Sequence, residues 1–482
     1  MSDTLRDILK QLDSIPMNHI VLKDILQGRE YTNAAFMSAV NSVSDHMKDH
    51  RTDEILICAD NSANLVILYL AALFSGKVMI PIDPEKEGGE IQRIRELHPK
   101  AVFWDNDEVH KIVSASGHMG ETFSRLLWDG IDFEKPFLIT YTSGSTGTPK
   151  GVRHTASHLF LSAYEFGVML KYDRHTVMGH CMPMTYMAGI LNTIIMPYLM
   201  GGCIAVFPRF SMKSAFSFWE NIKKSSVNTL WLSPTMLRIA NMMDKRATMK
   251  EYLHENNVKI SVGTAPLDKN LRDEVEEKYG IRLYQSYGLS ETLFISSEIL
   301  EEQVSKHTVG RLLPSVKMNS SADGELQIGV PWIFLGYTNE DTSLYMKDGF
   351  YLTGDLGRFD EDGNLIIVGR KKEIIVRGGY NINPRDIENK ILELENISEC
   401  SVISALIRGE EMVACCYVAD KEYSITDIND MIVSALGKHC KVDFLEHMRT
   451  LPKNLNGKVD KHAITKIVEE RYDSKESLIK HG

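Results

Sequence analysis

EILICA (Glu54 to Ala59), SANLVILYLAALF (Ser62 to Phe74), VMIPI (Val78 to Ile82) and AVFW (Ala101 to Trp104) succeed one another with short breaks between them. The short runs are apolar on both faces, and the long one has the length of a helix. Strands buried on both faces, alternating with helix-length segments, predict mostly parallel sheets covered by helices, an α/β fold.

Outward from that stretch, 482 residues with 43% hydrophobic and 25% charged content suffice for several packed cores, so two or more domains are expected. The texture changes after about Gly369, where turn and cap signals become denser. Asp362-Gly363 reads as a hairpin turn. Asn383-Pro384 followed by Asp386 and Glu388 reads as an N-cap, a first-turn proline and an acidic first turn, with Ile387, Ile391 and Leu394 on one helical face. Strands SVISALI and MVACCYVA and a helix around Asp427 to Leu436 follow. The expected division is residues 1–369 and 370–482.

From Cys181 to Pro208 no residue is charged, and Met187 to Phe207 approaches membrane-spanning length. Pro183, Gly189, Asn192, Pro197, Gly201 and Gly202 interrupt it, which predicts a buried helix, a turn and a buried strand instead of a membrane span. A net charge of -11 argues against general attraction to nucleic acid or anionic lipid. The seven cysteines form an odd set without CxxC spacing, so neither a disulfide framework nor a zinc site is suggested. With no signal-peptide core in MSDTLRDILKQLDSI, a reducing cytoplasm is the expected location.

The sharpest chemical signal is TSGSTGTPKG, Thr142 to Gly151, directly after the strand-like FLITY, Phe137 to Tyr141. Glycines and small hydroxyl residues let successive backbone N–H groups converge on phosphate oxygens, and Lys150 adds a compact positive charge. GxxxxGK[ST] cannot be laid on these residues, which disfavours a P-loop ATPase or kinase. Taken alone, the stretch could also be a solvated linker.

This loop resembles the signature of the adenylate-forming superfamily: acyl-CoA synthetases, nonribosomal-peptide adenylation domains and luciferases. Similar motifs follow in the family's order: MPMTYMAGI (Met182 to Ile190), VGTAPL (Val262 to Leu267), YQSYGLSE (Tyr284 to Glu291), YLTGDLGR (Tyr351 to Arg358), GRKKEIIVRGGYNINPRDIE (Gly369 to Glu388) and LPKNLNGK (Leu451 to Lys458). The resemblance implies a large N-terminal domain with a β-barrel-like subdomain and a small, mobile α+β C-terminal domain. It also implies activation of a small carboxylic acid with MgATP to an acyl-adenylate and pyrophosphate, then transfer to a thiol.

The resemblance places Thr142, Ser143, Gly144, Ser145, Thr146, Gly147 and Lys150 on the phosphates. Gly263, Thr264, Ala265, Pro266, Ser286, Tyr287, Gly288 and Ser290 are placed around the adenosine, with Tyr287 stacking on adenine. Asp355, assisted by Arg370, is implied as the ribose ligand; the alternative, taken without the family, is a turn aspartate capping a strand end. Glu291 is implied as the Mg²⁺ ligand, consistent with that metal's taste for one carboxylate plus phosphate oxygens and water. Thr142, Glu291 and Lys458 are the expected catalytic residues; an ammonium at Lys458, on a glycine-bearing turn, would offset charge building between carboxylate and α-phosphate. Lys372 falls at the family's hinge, and Gly378 and Gly379 at its thiol tunnel, where glycines permit close backbone approach.

Two positions depart from the pattern. Tyr186 replaces the usual histidine of the aromatic gate, and Lys461 replaces an arginine three residues past Lys458. Tyr186, Met187, Gly189 and Leu289 are expected to line the acyl pocket. No aspartate lies between Met182 and Met200 to pair with a substrate ammonium, so amino acids are disfavoured and a neutral aliphatic or aromatic acid is expected. Coenzyme A is the expected acceptor, with carrier-protein phosphopantetheine as the alternative. A non-catalytic nucleotide sensor on the same fold would typically lose Lys458 or Glu291, and both are present. A luciferase shares the adenylation step and differs by its need for oxygen.

Overall fold

The computed structural model describes residues 2–86, 88–115, 128, 130–142, 149–300, 308–377, 379–407, 410–454 and 458–479. These fall into two compact units. The first holds residues 1–267, 274–318 and 328–352, and the second holds 268–273, 319–327 and 353–482.

The quoted stretch forms as its pattern requires. Strands Glu54–Cys58, Val78–Pro81 and Val102–Asp105 pair in parallel around helix Ala63–Ser75, whose entry Ser62 caps by accepting from the Leu65 N–H at 3.2 Å. Their six-stranded sheet runs in the order Gly336–Tyr337, Lys150–Thr155, Pro136–Thr142, Val78–Pro81, Glu54–Cys58, Val102–Asp105. It is parallel as far as Pro136–Thr142; then an antiparallel hairpin pairs Thr142 with Lys150 across the phosphate-loop motif.

A second sheet of nine strands has a parallel interior of Ile20–Asp24, Cys203–Val206, Val177–His180, Thr229–Leu232, Lys259–Val262 and Leu283–Leu289, with antiparallel strands at both edges. The charge-free stretch is buried here. It runs as helix Met187–Ile190, a π-helical turn Leu191–Ile195, helix Met196–Leu199 and strand Cys203–Val206. No helix among the described residues is long and apolar enough to cross a membrane. A five-stranded sheet of Lys317–Ser320, Glu325–Gly329, Phe350–Phe359, Met346–Lys347 and Leu365–Arg370 completes the strands preceding Lys371.

In the second unit Gly363 takes φ +83° at the Asp362-Gly363 turn. Helix Pro384–Ile391 starts where expected, the Asn383 side chain accepting from the Arg385 N–H at 3.2 Å. Ile387 and Ile391 are buried, whereas Leu394 lies beyond the helix end. Strands Ile397–Ile407 and Glu410–Ala419 and helix Ile425–Leu436 enclose a core of their own around Val402, Val413, Ile428 and Ile432.

Candidate active site

In the first unit, Lys150 opens the strand that leaves the phosphate-loop motif. Its ammonium lies 2.6 Å from a Glu340 carboxylate oxygen, donates to the Tyr345 hydroxyl at 2.7 Å, and stands 4.6 Å above the Tyr345 ring. Burial opposes its charge, but the bonds to Glu340 and Tyr345 outweigh that and raise its pKa. Asn339 clasps the same strand end: its amide donates to the Pro149 carbonyl at 2.9 Å, and its side-chain oxygen accepts from the Gly151 N–H at 3.3 Å. A Cβ on Gly151 would sit 2.7 Å from the Thr338 hydroxyl, so this strand packs backbone to neighbour.

Glu291 sits in the turn between Leu283–Leu289 and Leu293–Ser297, where Leu289 pairs with Leu293. The turn is tight enough that a Cβ on Gly288 would lie 2.3 Å from the Leu293 carbonyl. Tyr337 donates to the Glu291 carboxylate at 2.7 Å, and the Tyr351 hydroxyl lies 2.9 Å from that of Tyr337. Desolvation, then the nearby Glu291 charge, raises the Tyr337 pKa, so the phenol remains a donor.

Ser290, just before it in the chain, is held by His154, whose Nε2 lies 2.7 Å from the Ser290 carbonyl. A carbonyl can only accept, so that nitrogen carries the proton. Burial pushes this imidazole down to about 3, keeping it neutral. His154 thus ties the strand of Lys150 to the turn of Glu291.

Gly263 follows strand Lys259–Val262, and a Cβ there would come within 3.1 Å of both the Ser286 hydroxyl and the Trp231 ring. Thr264 adopts φ +70°, which for a β-branched residue costs about 1–3 kcal/mol. Its hydroxyl is buried with no hydrogen-bond partner among the described residues. A strained backbone and an unpartnered hydroxyl next to Gly263, itself close to Ser286 and Trp231, fit a flat polar ligand such as a nucleobase. Ala265 and Pro266 continue that bend, half-buried and exposed.

Met182, Met184, Met187 and Ala188 are buried, and Tyr186 is half-buried at the start of helix Met187–Ile190. Asn61 fixes this segment by donating to the Met182 carbonyl at 2.7 Å and accepting from the Met184 N–H at 3.0 Å; Tyr69 donates to the Met184 carbonyl at 2.7 Å. Leu289 and Tyr186 pack against the same core.

In the second unit, Asp355 is buried and its carboxylate lies 2.6 Å from Arg370 Nε, the two facing each other across the strand pair. Lys372 is exposed in the 3-10 turn Lys371–Glu373, and Gly379 takes φ +84° in the hairpin between Ile375–Arg377 and Tyr380–Ile382. Lys458 closes a turn in which its N–H donates to the Asn454 side chain at 3.0 Å and its carbonyl accepts from the Asn454 N–H at 2.8 Å. Ser143, Gly144, Ser145, Thr146, Gly147 and Gly378 lie outside the described residues.

Within the first unit Lys150 and Glu291 are joined through Tyr337, whose ring lies 5.5 Å from the Lys150 ammonium and 5.1 Å from the Tyr345 ring, while Ser290 is held by His154 and Thr142 meets Lys150 by backbone pairing; the motifs flagged none of these linking side chains. Tyr337, Asn339, Glu340 and Tyr345 come from GYTNEDTSLY, nearly two hundred residues beyond Lys150, and only pairing of Gly336–Tyr337 with Arg153 and Val152 brings them there. His154 had a legible signal, since it alternates with Val152 on the inward face of its strand.

A model of AMP-binding enzymes matches residues 10–338. The chain belongs to that family. It is 26% identical over 473 positions to malonate–CoA ligase of Arabidopsis thaliana, covering 86% of this chain and 78% of that protein. It is 25% identical over 500 positions to 4-coumarate–CoA ligase-like 3 of the same plant, covering 92% and 89%. Among solved structures, ATP-bound MatB from Rhodopseudomonas palustris superposes with a TM-score of 0.85 at 20% identity, covering 96% of this chain and 99% of that one. The anthranilate CoA ligase AuaEII in complex with anthranoyl-AMP gives 0.81 at 18% identity, covering 96% and 97%. These likenesses establish the fold of adenylate-forming enzymes.

Proposed function

We propose that this protein is an AMP-forming acid–thiol ligase that activates a small, uncharged carboxylic acid with MgATP and passes the acyl group to coenzyme A. The observation that carries the reading is the Lys150–Glu340–Tyr345–Tyr337–Glu291 array beside the phosphate-loop hairpin. A cation and a carboxylate held in one network, next to a loop of glycines and hydroxyls, suit a metal–triphosphate. Bound ATP would give Lys150 phosphate oxygens in place of Glu340 and present its α-phosphorus to the acid.

Glu291 would hold Mg²⁺, which neutralises phosphate charge when bound; one carboxylate fits a cation that draws its other ligands from phosphates and water. Thr264 and Tyr287 would receive the adenine, and Asp355 with Arg370 the ribose. Lys458 would stabilise charge at the transferring centre, in the manner of a positioned cation. Thiol transfer would then use Gly378 and Gly379, of which the described Gly379 is exposed at its hairpin turn, with Lys372 as the hinge between steps.

For the acid, the buried methionines around Tyr186 leave no charged side chain in Met182 to Met200 to recognise a second ionised group. Pyrophosphate release from MgATP is measured across aliphatic, aromatic, dicarboxylic and amino acids, with and without coenzyme A. Release that requires a neutral acid and accelerates with coenzyme A is expected. Malonate, the acid named for one relative, is the pointed control: preference for it would overturn the neutral-acid reading. Indifference to coenzyme A would replace that acceptor with a carrier protein.

A further inference from the structure

Lys461 is the first residue of helix Lys461–Ile479, three positions beyond Lys458. Its ammonium reaches a Glu373 carboxylate oxygen at 2.8 Å, a Glu388 oxygen at 3.2 Å and the Val402 carbonyl at 3.4 Å. An ammonium has three N–H donors, and three acceptors surround this one. Glu388 is itself held, accepting from the Val402 N–H at 2.8 Å. The two carboxylates prevail over desolvation and raise the Lys461 pKa, so the charge stays on.

The acceptors belong to three different segments of the second unit: the 3-10 turn Lys371–Glu373, helix Pro384–Ile391 and strand Ile397–Ile407. On the other side, the Lys458 turn is closed at its base. Lys453 bridges Val459, and the Asp460 N–H donates to the Pro452 carbonyl at 2.9 Å. Asp460 also starts the final helix, accepting from the Ala463 N–H at 3.0 Å. The pairing at the base of the turn and the capped helix leave Lys461 as the anchor of the segment that carries Lys458.

We propose that Lys461 is a positioning residue for adenylation: it fastens the Lys458 turn to the Lys371–Glu373 turn, so that the catalytic ammonium and the hinge move as one piece. This rests on the ligase reading above. Exposed ion pairs stabilise little, but this ammonium is partly buried and satisfied by three acceptors, so its removal frees a turn instead of a surface side chain. Loss of the anchor should cost rate in the step that needs Lys458 held, with little change in ATP binding.

The test separates the half-reactions. Lys461→Ala is expected to slow acid-dependent pyrophosphate release roughly tenfold at unchanged KM for ATP. Thioester formation from added acyl-adenylate and coenzyme A should stay near wild type. Lys461→Arg should recover most of the loss, Glu373→Gln should share it, and Lys458→Ala/Lys461→Ala should be no slower than Lys458→Ala alone. A Lys461→Ala enzyme that slows both half-reactions equally, or that multiplies the Lys458→Ala defect, would show a merely structural role. Full adenylation by Lys461→Ala while Lys458→Ala is disabled would overturn the anchor. Full adenylation by Lys458→Ala would instead overturn the ligase mechanism assigned to that lysine.

Discussion

Burial pushes the imidazoles of both His154 and His180 down to about 3, each without a carboxylate beside it to offset the loss of water. His154 spends its one proton on the Ser290 carbonyl, and His180 Nδ1 meets the Thr193 hydroxyl at 2.7 Å. In the unfolded chain both return to about 6.5. A group whose folded pKa is depressed in this way binds its proton more readily when unfolded, so folding stability is intact above 6.5 and falls as pH drops through the window toward 3. At pH 5 the loss is about 2 kcal/mol per imidazole. The urea midpoint of the wild type should therefore decline between pH 7 and pH 5, and His154→Asn should decline less steeply; equal slopes would mean that His154 is not buried neutral. The same residue shows what was legible at this scale. Lys150, Glu291 and Asp355 stood out because motif spacing marks them, whereas Tyr337, Glu340 and Tyr345 have partners fixed by strand pairing far along the chain, which local pattern does not encode.

Elements were legible where a segment's own period decided its structure, as in the Glu54–Cys58, Ala63–Ser75, Val78–Pro81 succession and the Asn383-capped helix. The π-helical turn Leu191–Ile195 was not legible in the local pattern; there Thr193 donates back to the Gly189 carbonyl at 2.7 Å and, outside the helix, meets His180 Nδ1 at 2.7 Å. Gly189 shows how tightly that helix is set. A Cβ there would fall 2.0 Å from the Pro183 carbonyl oxygen, a backbone atom that cannot swing aside. On Gly151 the nearest atoms are side-chain ones, the Thr338 hydroxyl at 2.7 Å and the Tyr141 ring at 2.9 Å. Gly189→Ala should thus shift the Tyr186–Met187 wall and cost about 1–3 kcal/mol. Steady-state kinetics should show a raised KM for the acid with the KM for ATP little changed. An unchanged acid KM would detach this helix from the acyl pocket.

At the scale of the whole molecule, the expected machinery is distributed: Lys150, Glu291 and Tyr287 belong to one unit, and Asp355, Arg370 and Lys458 to the other. Within the first unit the metal is the case that can be followed furthest. Among the described residues no three histidines, cysteines or acids gather where they could hold an ion. Glu291 offers a carboxylate already accepting from Tyr337. Magnesium keeps several waters and prefers to be held by one or two carboxylates together with substrate phosphates. Its affinity here should accordingly be borrowed from the nucleotide. Titration with Mg²⁺ alone should detect binding no tighter than about 1 mM, whereas ATP should bring it into the micromolar range. EDTA should stop acid-dependent pyrophosphate release, and added Mg²⁺ should restore it. Glu291→Gln should raise the Mg²⁺ concentration needed for half-maximal rate while leaving the fold intact. Tight Mg²⁺ binding without ATP would point to a second set of ligands, and unaltered Mg²⁺ dependence in Glu291→Gln would remove Glu291 from the metal's coordination.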